Sequence, residues 1–377
     1  MDAFTPQQTA ELVSRIGTKK AHMRLDKLFW NAFMTGPLLG FGCAVMESTE
    51  TAPWYQENAP GLIRTAGALM FPIGLVMITL TGADLFTSNV MFMVTAFLHR
   101  RVGVRDVLTS WVVSYLGNLA GMLFFMAIII GYGGVLTDVA AYKQQTVTFA
   151  IQKAHDPGWH QIFLRAIGAN WLVCMAVFLS ISAREISSKI IAIWFPTATF
   201  VALALDHCIA NMFFVPMGIW NGAPFGVGYF IWKCLIPTTL GNILGGGLFV
   251  GATYWYLYLT GEAAVDITFD TGVLSSAMEA GGPMRSASTA PTASRWNPRR
   301  RSRPPPVLEG IDASTHDESP PQSEKIASPL MSGSIARDQL PHSGGPLQSG
   351  IGRELSAERY AKRKGTKGSD GSVATTV

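Results

Sequence analysis

Long runs without a charged residue alternate with short charged segments along the first 261 residues. Such uncharged runs include residues 28–46, 65–83, 107–137, 166–183, 190–205 and 234–261. A bilayer core about 30 Å thick is crossed by about 20 apolar helical residues, and these runs meet or approach that length. Because loops and sheet edges do not face lipid, the pattern predicts an all-α integral membrane protein with six transmembrane helices.

Three landmarks recur in the same order in the two halves of this apolar region. F-P occurs at 71 and 195, D-x4-N at 84–89 and 206–211, and L-G-N at 116–118 and 240–242, with offsets of 124, 122 and 124. A repeat unit of that length contains three helices. Because three is odd, the second unit enters the membrane from the other side, which predicts an inverted 3+3 repeat.

The two D-x4-N stretches each interrupt a segment that is too long for one straight membrane helix. We therefore predict that the second and fifth helices are broken near the bilayer midplane, where freed backbone groups must be buried or line an aqueous path. Asp84 and Asp206 start the two stretches, where a carboxylate can accept free backbone N–H groups. The framework of the breaks is completed by Ser88 and Asn89, together with Asn211; the two asparagine amides are equally suited to contacting an anion.

His207 is the only histidine inside the predicted membrane helices. An ionisable residue at that depth is costly and indicates a functional site. Burial favours the neutral imidazole and an approaching anion favours the charged one, which is the coupling that a proton-linked anion site requires. The alternative is a structural histidine that bonds a backbone carbonyl at the break. In the first copy of the repeat, Leu85 occupies the matching position.

Basic residues indicate the orientation in the membrane. The chain has 377 residues, 49% of them hydrophobic and only 14% charged. Lys and Arg are concentrated in residues 1–27, 99–105, 184–189 and beyond 261, which predicts that both termini are cytoplasmic. Residues 138–165 are the exception, because they place Lys143, Lys153 and Arg165 outside. These three are either harmless in a long loop or form a basic vestibule for an anion.

The composition divides the chain into three parts. Residues 1–27 are predicted to be a cytoplasmic segment with a short amphipathic helix that Thr5 caps and that ends near Ile16. Residues 28–261 are predicted to form a six-helix transmembrane domain. Residues 262–377 are rich in Ser, Pro, Gly and Arg and are predicted to be a disordered cytoplasmic tail. Its basic stretch at 352–364 is either a lipid-headgroup or trafficking element or simply solvated.

Several functional classes find no support in the residues. The four cysteines (43, 174, 208 and 234) lie in apolar stretches without paired spacing, so they indicate small core residues and no metal site or disulfide framework. Asp206, His207 and Cys208 do not form a catalytic triad, since adjacent helical residues point about 100° apart. We expect no enzyme activity, no cofactor and no nucleic-acid partner.

Four separated motifs resemble signatures of the formate/nitrite transporter family. They are G-A-D-L-F-T-S-N (82–89), A-N-W-L-V-C (169–174), H-C-I-A-N-M-F-F-V-P-M-G-I (207–219) and I-P-T-T-L-G-N-I-L-G-G-G (236–247). The resemblance covers residues 1 to about 261 and is strongest to the fungal nitrite transporters of that family. It implies an aquaporin-like protomer within a homopentamer, with one anion path in each protomer.

The resemblance also assigns residues to this path. The central histidine of the family falls on His207, its first-break threonine on Thr87, and its fourth-helix asparagine on Asn170. Lys153 is the candidate for its vestibule lysine, although it lies one position off the family's spacing in an ungapped count back from Asn170. The hydrophobic constrictions fall on six residues that are otherwise typical core: Phe71, Leu75, Leu85, Phe86, Val173 and Phe200.

The function expected from these features is proton-coupled transport of a small monovalent anion across the plasma membrane. The resemblance favours nitrite, and with it a role in nitrate assimilation. Formate, lactate and hydrosulfide are the alternative substrates. A different class, a membrane scaffold or receptor acting through its tail, is distinguished by a chain ending at residue 261, because only a transporter retains its function without the tail.

Overall fold

Helices make up most of residues 3–261, which, with Ile267, are the part of the chain described by the computed structural model. They are α1 (Pro6–Ala21), α2 (Leu25–Glu50), α3 (Pro53–Asn58), α4 (Pro60–Thr81), α5 (Phe86–Leu98), α6 (Val104–Tyr132), α7 (Ala140–Ala150), α8 (Trp159–Ser182), α9 (Ile186–Ala202), α10 (Cys208–Trp220) and α11 (Val227–Leu259). A π-helical turn, Ile151–His155, extends α7. The predicted tail, residues 262–377, lies outside the described residues apart from Ile267.

Five of these helices are long and apolar enough to cross a membrane: α2, α4, α6, α8 and α11. Helices α5, α9 and α10 are apolar but shorter. Helix α4 ends at Thr81 and α5 begins at Phe86, so residues 82–85 interrupt the first pair. Residues 203–207 interrupt α9 and α10 in the same way. Both D-x4-N stretches therefore lie where one helix ends and another begins.

Helix α1 is longer than the sequence predicts. Thr5 and Gln8 form the expected capping box, but the helix continues beyond Ile16 to Ala21. It continues because its apolar face is docked against the bundle, where Ala10 and Val13 share a buried cluster with residues of α5 and α8. Gly17 allows this approach, since a Cβ there would lie 2.3 Å from the Phe92 carbonyl oxygen.

Two matching helix pairs form the centre of the bundle. Helix α2 packs along α6, and α8 packs along α11. Each pair meets at a glycine three residues after an L-G-N asparagine: a Cβ on Gly121 would lie 1.9 Å from the Phe33 oxygen, and one on Gly245 2.2 Å from the Ile167 oxygen. Small residues permit this close backbone contact. Gly121 and Gly245 therefore occupy equivalent positions in the two halves, and each sets the distance between two packed helices.

The four cysteines are free and buried, as predicted for small core residues. Most of the interior belongs to one apolar cluster, which surrounds the two helix breaks. The breaks therefore lie within protein, where their backbone polar groups need partners from side chains.

Candidate functional site at the two helix breaks

Two buried asparagines hold the two breaks with the same three hydrogen bonds. Asn118 Oδ1 accepts from the Phe86 N–H at 2.8 Å, and its Nδ2 donates to the carbonyls of Ala32 and Asp84, both at 2.8 Å. Each bond has a counterpart in the second half of the chain.

Asn242 makes the second set. Its Oδ1 accepts from the Cys208 N–H at 2.8 Å, and its Nδ2 donates to Ala166 at 2.8 Å and to Asp206 at 3.0 Å. Phe86 and Cys208 are the first residues of α5 and α10, whose leading N–H groups have no partner within the helix. The amides of α6 and α11 therefore cap the half-helices.

The prediction that Asp84 and Asp206 accept these N–H groups is wrong. The half-helices begin two residues after each aspartate, so the capping positions are Leu85 and His207. The Asp84 carboxylate instead accepts hydrogen bonds from the Lys20 ammonium and, at 2.7 Å, from Asn31 Nδ2; Asn89 Nδ2 lies at 3.4 Å.

The second break repeats this arrangement. Asp206 Oδ1 accepts from Lys153 Nζ at 3.2 Å and from Asn211 Nδ2 at 3.4 Å. Both aspartates are fully buried. Each break thus contains a buried lysine–aspartate ion pair and an aspartate–asparagine contact, and Ser88, which donates to the Leu85 carbonyl at 2.9 Å, adds a bond in the first break only.

The structure brings Thr87 and His207 together although they are 120 residues apart. The Thr87 hydroxyl lies 2.8 Å from His207 Nε2. His207 Nδ1 accepts from the Ala210 N–H at 3.2 Å, so this ring caps α10. Because Nδ1 is an acceptor, we assign the proton of the neutral ring to Nε2, which then donates to Thr87 Oγ1. The hydroxyl hydrogen of Thr87 remains available to another acceptor.

Asn170 lies behind this pair and is fully buried. Its Nδ2 donates to the Thr87 carbonyl at 3.1 Å and to the Asn242 carbonyl at 2.7 Å. Its Oδ1 is 3.7 Å from Cys174 Sγ. Since its amide is engaged by the protein, Asn170 positions Thr87.

Phenylalanine rings cover His207. The rings of Phe71 and Phe200 meet edge to face with centroids 5.4 Å apart, and the Phe200 ring is 6.0 Å from the imidazole. Phe86 packs edge to face against Tyr115 at 5.0 Å. All six residues predicted to form constrictions are buried in the same apolar cluster: Phe71, Leu75, Leu85, Phe86, Val173 and Phe200.

A cavity of about 70 Å³ reaches His207 and is lined by the Phe71 and Phe200 rings and by Asn211. Four charged residues also line it: Glu50, Arg64, Lys153 and Arg165. Lys153 thus shares this cavity with two arginines, and its assignment as the vestibule lysine stays a prediction. The basic residues outnumber the acidic one, which favours an anion in the cavity.

Sequence reasoning missed the capping role of Asn118 and Asn242 and the partners of Asp84. A signal for the two asparagines was present, because both stand in the repeated L-G-N motif. Lys20 has no comparable signal, since it lies on a helix before the first membrane segment and 64 residues from Asp84.

Comparison with known proteins decides the family. The family model described as formate/nitrite transporter matches residues 7–256. The chain belongs to the formate/nitrite transporter family. This confirms the resemblance drawn from the four motifs and places the protein among transporters and channels, not enzymes.

Individual relatives of this family agree over the same region. A probable formate transporter of Methanothermobacter thermautotrophicus is 35% identical over 268 residues, which cover 68% of this chain and 97% of the relative. The formate channel FocA of Escherichia coli K12 is 33% identical over 280 residues, which cover 68% and 95%. A solved pentameric formate channel with formate bound shares 31% identity and a TM-score of 0.56, covering 63% of this chain and 98% of that one.

The predicted closeness to fungal nitrite transporters stays a prediction. The yeast relative, from Saccharomyces cerevisiae, is an uncharacterized transporter that is 34% identical over 259 residues, covering 68% of this chain and 41% of the relative. It supports neither nitrite nor formate.

Proposed function

We propose that this member of the formate/nitrite transporter family carries out proton-coupled transport of a small monovalent anion across the plasma membrane. Nitrite is the first candidate substrate. Formate is the second, and the descriptions of several relatives as formate transporters or channels favour it. The observation that carries the proposal is the Thr87–His207 hydrogen bond, because His207 lines a cavity that also contains the Phe71 and Phe200 rings and three basic side chains.

The proposed topology has six membrane crossings, with the second formed by α4 and α5 and the fifth by α9 and α10. The matched hydrogen bonds of Asn118 and Asn242 support an inverted repeat, because they join equivalent segments in both halves. Residues 28–261 form the transport domain, both termini are cytoplasmic, and five copies assemble. A related channel of solved structure is a pentamer, which supports the assembly.

The Phe71 and Phe200 rings line the cavity beside His207 and present an apolar surface to an anion that approaches the imidazole. Transfer of a bare anion past such rings costs several kcal/mol, whereas the neutral acid passes cheaply. The Thr87 hydroxyl has a free hydrogen that can bond an arriving anion. That anion stabilises the imidazolium form of His207, which gains its added proton from the aqueous side. The imidazolium passes this proton to the anion, so the anion becomes the neutral acid and the ring returns to its neutral form.

The alternative function is that of a membrane scaffold or receptor that acts through its tail. The family match at residues 7–256 favours the membrane domain, because the tail lies outside it. A small monovalent anion and a proton are therefore the proposed partners.

Substitution of His207 tests the mechanism. We expect His207→Asn and His207→Phe to abolish proton-driven nitrite and formate uptake in proteoliposomes, because both remove the titratable ring. His160→Asn is the matched control, since His160 is exposed and outside the cavity. Wild-type uptake by both His207 variants refutes the mechanism, and competition between nitrite and formate in the wild type ranks the substrates.

A further inference from the structure

Lys153 has no hydrogen-bond donor to spare for an anion. An ammonium group has three N–H donors. Lys153 Nζ donates to the Ala204 carbonyl at 3.1 Å, the Leu205 carbonyl at 2.9 Å and Asp206 Oδ1 at 3.2 Å. Its positive charge is also balanced by the adjacent carboxylate. In this arrangement Lys153 holds the second helix break, so another group must bind the anion in the cavity.

The same cavity contains two guanidinium groups, on Arg64 and Arg165. Arg64 is exposed and interacts electrostatically with Glu50, which also interacts with Lys153. Arg165 is half-buried in the second turn of α8. Within residues 3–261, neither arginine makes a hydrogen bond or ion pair, but Arg165 has no electrostatic partner of the kind that Glu50 provides to Arg64, so its donors and its charge are both available in the cavity.

We propose that Arg165 is the outer anion-binding residue of the transport path and that its guanidinium selects planar anions with two oxygen atoms. This inference rests on the proposed function and deepens it. Nitrite and formate each present two oxygens in one plane, which a guanidinium contacts with two parallel N–H donors. The cavity joins this group to His207, so an anion held by Arg165 lies on the way to the proton-transfer site.

Planar recognition distinguishes a guanidinium from a simple positive charge. Lysine at position 165 keeps the charge and loses the paired donors, whereas glutamine loses both. Because Arg165 acts before the chemistry at His207, its loss is expected to raise KM and leave Vmax unchanged.

The test measures formate and nitrite uptake by proteoliposomes of the full chain. We expect Arg165→Gln to raise KM about tenfold, the size of effect that loss of a charge-assisted bond of about 1.4 kcal/mol produces. Arg165→Lys is expected to raise KM for formate and nitrite about threefold. Thiocyanate lacks a two-oxygen edge, so its inhibition of uptake by this variant is expected to equal that of the wild type. Arg105→Gln, at the exposed start of α6 and outside the cavity, is the matched control for loss of charge.

Three results overturn the inference. They are a KM for Arg165→Gln within twofold of the wild type, an equal rise in Arg105→Gln, and wild-type KM in Arg165→Lys. Size-exclusion profiles show whether each variant is folded, and if Arg165→Gln is not, the lysine variant decides. A wild-type protein that transports neither anion counts against the proposed function, which separates the two failures.

Discussion

Truncation of Asn118 or Asn242 tests whether the two breaks are braced by equivalent side chains. Asn242→Ala removes three buried hydrogen bonds. The Ala166 carbonyl retains its place within α8, but the Cys208 N–H and the Asp206 carbonyl lie at the break and lose a buried partner. Each orphaned group costs about 1–3 kcal/mol. Hydrogen bonds between side chains in membrane proteins contribute on average only about 0.6 kcal/mol, so the total cost of the two orphaned groups lies toward the lower end of this range. We expect a loss of about 2–4 kcal/mol.

Asn118→Ala orphans the matching groups on Phe86 and Asp84, so its loss of stability should be similar. A thiol-reactive dye measures unfolding directly, because all four cysteines are free and buried in the folded protein. Asn58→Ala is the control: Asn58 is exposed and bonds only the Trp54 carbonyl of its own helix. If both variants melt like Asn58→Ala, the bracing role is wrong. If only one does, the two breaks are not equivalent.

Two further predictions concern charged groups. Lys153→Met leaves Asp206 buried without a cation, which costs about 3–5 kcal/mol, so the folded yield should fall and recover on adding Asp206→Asn. A double variant that folds no better than the single one contradicts this. Directly after α5, burial and then Arg101 lower the pKa of His99, although Glu11 on α1 opposes this. Below pH 6.5 the undocked histidine binds a proton that the docked one resists, so docking of α1 should weaken as pH falls. Hydrogen exchange of α1 should show this, and His99→Gln should remove it.

The sequence predicts the helices and their interruptions because these depend on local composition. The uncharged runs coincide with the five helices long enough to cross a membrane and with the shorter α9, and the D-x4-N stretches lie where α4 and α9 end. The capping box at Thr5 is equally local and is confirmed. Where the structure depends on a single segment, the pattern of residues in that segment is sufficient to predict it.

Contacts between distant segments could not be predicted from local sequence patterns. The error at Asp84 and Asp206 arose because a carboxylate next to a helix start suggests a cap, whereas the helix begins two residues later and a side chain from another helix provides the acceptor. The Thr87–His207 pair joins the two halves of the chain and was expected only from the family resemblance. The free guanidinium of Arg165 required knowing which donors of Lys153 are occupied.

The two lysine–aspartate ion pairs have a consequence for synthesis of the chain. Lys20 precedes Asp84 by 64 residues, and Lys153 precedes Asp206 by 53. Because a ribosome makes the N-terminal part first, each cation exists before the carboxylate that it neutralises. Neither aspartate has to enter the bilayer before its counter-ion has been made. At both helix breaks, the order of residues along the chain thus makes the counter-ion available before the acidic residue is inserted into the membrane.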